Sequence, residues 1–318
     1  MFKDSPKLQL AIDRMRGITG FVTTLGSNED RRPLAFGRFF HVRRVAWLAS
    51  NLCERTGIRS GPILRLVWLH DLNRWPFAHN SEKGLFSQVD NTPKFFERFH
   101  GAVSQGEIND LVEFHRKNVA QLSSAGQVAL VADLVSGMIE DPLMAILGLN
   151  VTPRLVPASV ARELCLPIES EPFLARLRQI AEEFKVGCDP TIFTDRFDRL
   201  FRDQAGVFLQ ARAGDLDPSR AFAPLFALAE QLKTSFLRPI VFPINNELVC
   251  HGHWLKESVF GPLRAHGGEE WNRCLLELDE EEFVAKAVAS TVIPKLNRAD
   301  FLPDLDIVSK EHPAEAFV

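Results

Sequence analysis

Several features that would place a chain in a specialised class are missing from these 318 residues. The five cysteines (Cys53, Cys165, Cys188, Cys250 and Cys274) are odd in number, widely spaced and include no CxxC pair, which argues against a disulfide framework or a zinc ribbon. No apolar run reaches the roughly 18 residues that a membrane-spanning helix needs. The opening stretch MFKDSPKLQLAIDRMRG has no apolar signal-peptide core, so the expectation is a soluble, cytoplasmic protein with reduced thiols. Excess positive charge is missing too. Against 41 acidic residues stand 37 basic ones, for a net charge of −4, so no global field attracts nucleic acid or an anionic membrane. Period-two runs of β-branched residues, the mark of strands, are absent except for PIVF at 239–242.

What is present is helical rhythm. In FHVRRVAWLASNLC, Val42, Val45, Ala46, Ala49, Leu52 and Cys53 recur at spacings of three and four, and Arg43, Arg44, Trp47, Ser50 and Asn51 take the other side. On that reading Arg43 and Arg44 face away from the core, available to phosphate, a partner or solvent. SGPILRLVWL at 60–69 is apolar on almost every face, as a buried helix is, with Ser60 ahead of Pro62 and Pro76 after Trp75 as start and stop signals. The same rhythm runs over 105–122, 127–140, 171–185, 192–210, 219–236 and 280–291, broken by turn-rich pieces such as GLNVTP, GCDP and GDLDPS. The fold class is therefore all-α. LGLNVTPRLVP interrupts the rhythm near 150–157 and divides a core over 1–150 from a C-terminal helical region over 151–318.

Charge at the end of the buried helix needs a reason. His70 follows Ile63, Leu66 and Val67 by seven, four and three residues, so it lies on a packed stripe with Asp71 beside it. His41 shares a face with Val45, Leu48 and Leu52, and Asp133 interrupts VALVADLVSGMI, a segment otherwise almost wholly apolar. Burying an unpaired carboxylate costs several kcal/mol or more, enough to unfold a marginal domain, so Asp133 must have a partner. Each of these groups could be a core polar residue satisfied by backbone or salt bridge. A divalent cation bridging His41, His70, Asp71 and Asp133 satisfies all four at once, and mixed imidazole and carboxylate ligation suits iron, manganese, zinc or nickel.

The order His, His-Asp, Asp resembles the HD superfamily of metal-dependent phosphohydrolases, and its surroundings resemble the dGTPase-like deoxynucleoside triphosphate triphosphohydrolases. RFFHVRRVAWLA at 38–49 is similar to that branch's Arg-x-x-His helix, HDLNRWPFAHNSE at 70–82 to its HD-x-G-H-x-P-F-x-H-x-x-E/D stretch, and VADLVSG at 131–137 to its Ala-Asp-x-Ile-Ala-Tyr helix. Weaker similarity extends to FERFHGAVSQ near 100 and to LKTSFLRPIVFPINNELV. The resemblance implies an HD helical bundle in which His41, His70, Asp71 and Asp133 hold a divalent ion (Mn, Mg, Fe, Co, Ni or Zn). It implies that His79, Glu82 and His100 belong to the catalytic surroundings and that Arg38 contacts substrate phosphate, with Lys233 and Arg238 as further phosphate contacts. The implied substrate is a nucleotide, with a homo-oligomer left open. Departures from the pattern are specific. Asn73 and Arg74 stand where the branch has glycine and histidine, and Arg74 cannot act as a general acid or base near pH 7, though it can bind phosphate. Ser136 and Gly137 replace the Ala-Tyr of the third motif, and the chain has no tyrosine beside 25 phenylalanines, so deoxyribose selectivity does not follow from the resemblance.

Two rival readings stand beside this one. His41, His70, Asp71, His100, His115 and Asp133 also follow the order of two-metal HD proteins, which include phosphodiesterases and di-iron oxygenases; there His100 and His115 hold a second metal. Otherwise His115, on the stripe Ile108, Leu111, Val112, Val119 and Leu122, is a core histidine. A non-catalytic nucleotide-binding module is the second rival, supported by Arg74. Cys250, His251 and His253 in CHGHW lack a second ligand cluster with zinc spacing, and LELDEEE at 276–282 reads as a solvated turn and helix start.

Overall fold

A computed structural model describes residues 5, 8–9, 11–12, 15, 19–25, 32–74, 88–97, 99, 101–148, 151–185, 190–212 and 217–243. The protein is all-α. Its one extended feature among the described residues is an antiparallel ribbon, β1 (Thr19–Leu25) against β2 (Arg32–Gly37), with Thr23 opposite Leu34. TGFVTTL and RPLAFG lack strict alternation, so the periodicity test passes over them. PIVF is helical instead. It falls at the end of a π-helical stretch, Lys233–Val241, that continues directly from the preceding helix.

Helix α1 (Arg38–Thr56) starts immediately after β2, and α2 (Ser60–Leu69) follows a short turn at Gly57, whose φ of +70° is a conformation glycine tolerates. Arg59, not Ser60, occupies the N-cap of α2, without a side-chain cap. Next come α3 (Gln88–Glu97), α4 (Gln105–Arg116) and α5 (Ser124–Gly148). The periodic segment 105–122 is cut short at Lys117, which takes a left-handed conformation. At the other end of α4 a capping box joins Ser104 and Glu107: the Glu107 N–H donates to Ser104 Oγ, and the Ser104 N–H to Glu107 Oε2. The C-terminal helices are α6 (Ala158–Glu163), α7 (Glu171–Lys185), α8 (Pro190–Ala211) and α9 (Pro218–Leu232). The expected helix at 280–291 lies outside the described residues, and no helix among those described is long and apolar enough to cross a membrane.

α5 is the centre of the molecule. Val128, Ala129, Leu130, Val131, Ala132, Val135, Met138 and Ile139 are all buried, because α1, α2, α4, α7, α8 and α9 pack around it. A helix apolar on every side is stable only when enclosed in this way. α8 and α9 therefore lean back onto the first half of the chain, and one hydrophobic core runs through both halves.

The opposite face of α1 corrects the sequence expectation. Arg44 is 2 % exposed, its guanidinium lying 5.0 Å from the Phe197 ring centroid on α8, and Arg43 reaches Asp198 on the same helix. Helical periodicity assigns one buried face per helix; α1 has two, since α5 covers one side and α8 the other.

The enclosure of α5 predicts a contrast in stability. Leu130→Ala, at a fully buried position, is expected to cost about 2 to 5 kcal/mol. Val207→Ala, at an exposed position on α8, is expected to stay within about 0.5 kcal/mol of the parent in urea unfolding.

Candidate metal centre

Three elements meet at one point. α1 brings His41 one turn after its first residue, Arg38. α2 ends at Leu69, and His70 is its C-cap, the N–H donating to the Leu66 carbonyl. The negative end of the α2 dipole thus faces the site, favouring positive charge there. α5 contributes Asp133 from its middle, with Glu140 two turns further along the same face.

His41 Nε2 lies 3.2 Å and His70 Nε2 3.6 Å from the same oxygen, Asp133 Oδ1. Ligand atoms of His41, His70 and Asp133 all fall within 4.8 Å of one another, so this set could hold a metal ion. The outer nitrogens assign the tautomers. His70 Nδ1 donates to the Val67 carbonyl at 2.6 Å, and His41 Nδ1 donates to Glu140 Oε2 at 2.9 Å. Nε2 of each imidazole is thus the nitrogen turned toward Asp133: that of His41, whose pKa is raised, carries a proton donated to Asp133 Oδ1 at 3.2 Å, and that of His70 is buried without a hydrogen-bond partner among the described residues. A bound cation would replace the His41 Nε2 proton and take both Nε2 atoms and Asp133 Oδ1 as ligands. Orientation of ligating histidines by a carboxylate or backbone carbonyl is the usual outer support of a metal site.

Asp71 is placed at the rim of this set. Its Oδ2 is 3.4 Å from His70 Nε2, but the carboxylate also serves two arginines. Arg38 donates to Oδ2 from Nε at 2.6 Å and from Nη2, and Arg74 Nε donates to Oδ1 at 3.1 Å. Arg38 and Arg74, expected as phosphate contacts, thus flank the centre and hold Asp71. Gln88 on α3 buttresses the turn, donating to the His70 carbonyl at 3.0 Å and to Asn73 Oδ1 at 3.2 Å. His115 reaches the same neighbourhood: half-buried, with Nε2 lacking a hydrogen-bond partner among the described residues, it is held neutral by burial first and then by Arg74 and His70. Lys233 pairs with Glu230 at 3.4 Å and Arg238 is exposed. His79, Glu82, His100, Cys250, His251 and His253 lie outside the described residues.

Three further residues, Glu140, Asp198 and Lys117, belong to the site and were not singled out by periodicity or motif. Glu140 accepts from His41 and from Arg44, whose Nε and Nη2 reach it at 3.1 and 2.7 Å, while Arg44 Nη1 donates to Asp198 at 2.7 Å. Arg43 completes the chain on Asp198, so two buried acids are matched by two arginines. Lys117 Nζ stands 3.5 Å from Asp133 Oδ2. The spacing of seven between Asp133 and Glu140 was a readable signal for one of these; nothing in the local sequence marks Asp198 or Lys117.

Charge in this cluster is strongly biased. Burial opposes ionisation of Asp133, yet the hydrogen bond from His41, the nearby His70 imidazole and the charge of Lys117 hold it well below the usual carboxylate range. Burial likewise opposes ionisation of Asp71, and Arg38 first, then His70 and Arg74, hold it low. His41 is raised: burial and Arg38 lower it, but Glu140 and Asp133 together outweigh them. Asp141 goes the other way. Burial and the neighbouring charge of Glu140 push it up to about 7. No protein-family model matches the chain, and no curated protein matches it by sequence.

Two outcomes follow from this geometry. Glu140→Gln leaves His41 without its carboxylate support and is expected to weaken Mn(II) affinity by about 10- to 100-fold in chelator competition. For Asp141 the folded value lies above the ordinary 3.8, so its contribution to stability is full below about pH 4 and is lost as pH rises through about 7. Asp141→Asn removes that loss. In chelator-treated protein, the variant should therefore gain stability relative to the parent as pH goes from 4 to 8, read by urea unfolding at each pH.

Proposed function

We propose that this chain is an HD-type metal-dependent phosphohydrolase acting on a nucleotide, releasing triphosphate from a (deoxy)nucleoside triphosphate by attack of water on the α-phosphorus. The observation that carries the reading is the buried His70 Nε2, which has no hydrogen-bond partner among the described residues and converges with His41 Nε2 on Asp133 Oδ1. His41, His70 and Asp133, with Asp71 at the edge, would hold a divalent cation, which would supply Lewis acidity toward a phosphoryl group and help make water a nucleophile near neutral pH.

The protein's own groups fit the rest of the chemistry. Arg38, Arg74 and Lys117 put three cations around the set, against Asp71 and Asp133 as its acids. With a dication added, the site carries a net positive charge suited to a phosphate-bearing substrate, and a guanidinium fork holds phosphate oxygens well. His115, buried at Nε2 and kept neutral, is available to accept or relay a proton. His79 and His100 retain the proton-transfer role that the resemblance implies. Glu140 and the Arg44 to Asp198 chain keep His41 from rotating, which holds the ligands at fixed geometry.

A second reading has its own observation. His115 Nε2, buried and without a hydrogen-bond partner among the described residues, is left over for a second ion beside the set of His41, His70 and Asp133, as the two-metal HD phosphodiesterases and di-iron oxygenases require. Counting metal per chain separates the two: one ion favours the triphosphohydrolase, two favour the two-metal enzymes.

Purified protein incubated with Mn(II) and a panel of dNTPs and NTPs is expected to yield nucleoside and triphosphate, identified by mass. His70→Ala and Asp133→Asn should lose both bound metal and turnover, while Arg74→Ala mainly raises KM. Metal content unchanged in both of the first two variants would defeat the assignment, and binding without turnover would indicate a nucleotide sensor instead.

A further inference from the structure

Lys117 ends α4 with a φ of 58°, a left-handed conformation that an ordinary side chain rarely adopts and glycine adopts freely. Its backbone N–H closes the helix on the Glu113 and Phe114 carbonyls, a task that needs no side chain. A lysine at such a position therefore asks what its ammonium does. Nζ lies 3.5 Å from Asp133 Oδ2 and 4.8 Å from the Phe114 ring centroid, so aromatic and carboxylate together aim it at the centre.

The two oxygens of Asp133 face different partners: Oδ1 lies between the imidazoles and Oδ2 faces Lys117. We infer that Lys117 is the anion-recruiting residue of the site, an ammonium kept on Asp133 Oδ2 until that carboxylate is committed to a metal ion and then turned to a phosphate group. The inference rests on the metal-centre reading proposed above and adds a residue to it.

Two comparisons distinguish Lys117 from Arg38 and Arg74. Arg38 and Arg74 reach Asp71 at 2.6 and 3.1 Å, and Arg38 does so with two donors, whereas Lys117 makes one longer contact to a carboxylate already shared with two imidazoles. Once Asp133 neutralises a dication, its pull on the ammonium weakens, and the two positive charges repel across a few ångströms of protein. An anion bridging both removes that repulsion. Lysine also suits the task mechanically, because a compact charge on a rotatable stem can change partner without the backbone moving. Metal binding and anion binding should consequently strengthen each other, with Lys117 carrying the coupling.

Lys117→Gly is the informative variant, since glycine fits the left-handed cap and the helix end is kept; relief at the cap offsets loss of the Asp133 contact, and cooperative melting close to that of the parent is expected. Titration calorimetry with inorganic phosphate, with and without saturating Mn(II), reads the effect. The parent is expected to bind phosphate more tightly with Mn(II) present. In the glycine variant phosphate affinity of the Mn(II) form should fall at least tenfold, Mn(II) affinity should hold or rise, and Lys117→Arg should recover part of the loss. Phosphate binding to Lys117→Gly equal to that of the parent overturns the role of the lysine while leaving the metal centre standing. A parent that binds no Mn(II) overturns the metal-centre reading, and the present inference with it.

Discussion

Asp133 sits where a carboxylate has least reason to be, in the middle of a helix enclosed by six others. The cost of stripping its water is several kcal/mol unless positive charge and hydrogen bonds replace that water. The polar groups nearest to it do so. His41 and His70 approach one oxygen and Lys117 the other, and these groups arrive from three separate elements. The carboxylate thus acts as a tether, joining the start of α1, the end of α2 and the cap of α4 to the central helix.

A second layer keeps that tether rigid. Glu140 fixes the His41 ring, Arg44 fixes Glu140, and Asp198 on α8 fixes Arg44. The relay reaches residues about 155 positions apart, counted from Arg43 to Asp198, which is how the C-terminal helices come to influence a centre built from the first half of the chain. Buried charges in a chain of this kind hold one another only as a set, since removing one leaves its neighbour uncompensated in a medium of low dielectric. The site is therefore an electrostatic unit that includes α8 as well as a cluster of possible ligands on α1, α2 and α5.

Much of this was legible before any coordinates. Helix α7 spans the very segment that periodicity marks, 171–185, and α8 and α9 begin within two residues of their expected starts, because an amphipathic stripe with turn signals at both ends needs no tertiary information. His41, His70 and Asp133 were legible for a different reason: each is a polar group on an apolar stripe, and such a group must find a partner. Where reading failed, it failed through non-local effects. Arg44 looked solvent-facing because a one-dimensional pattern cannot register a second helix packing on the far side of α1. Lys117 looked like the interior of a longer helix, and only the left-handed turn there redirects its side chain inward. PIVF has strand-forming residues, yet it follows α9 without a break and stays helical.

By itself the sequence determined the all-α class, the burial of the second helix and the requirement that Asp133 be compensated, since those depend on local periodicity and on the energy of burying charge. Only the tertiary structure decided who the partners are. That Asp71 leans on Arg38 and Arg74, that Glu140 rather than a backbone group orients His41, and that Lys117 takes the second oxygen of Asp133 are all consequences of helices far apart in sequence packing within a few ångströms. Side-chain pairing of that kind is set by distance in space, and distance in space is fixed only when the core closes around α5.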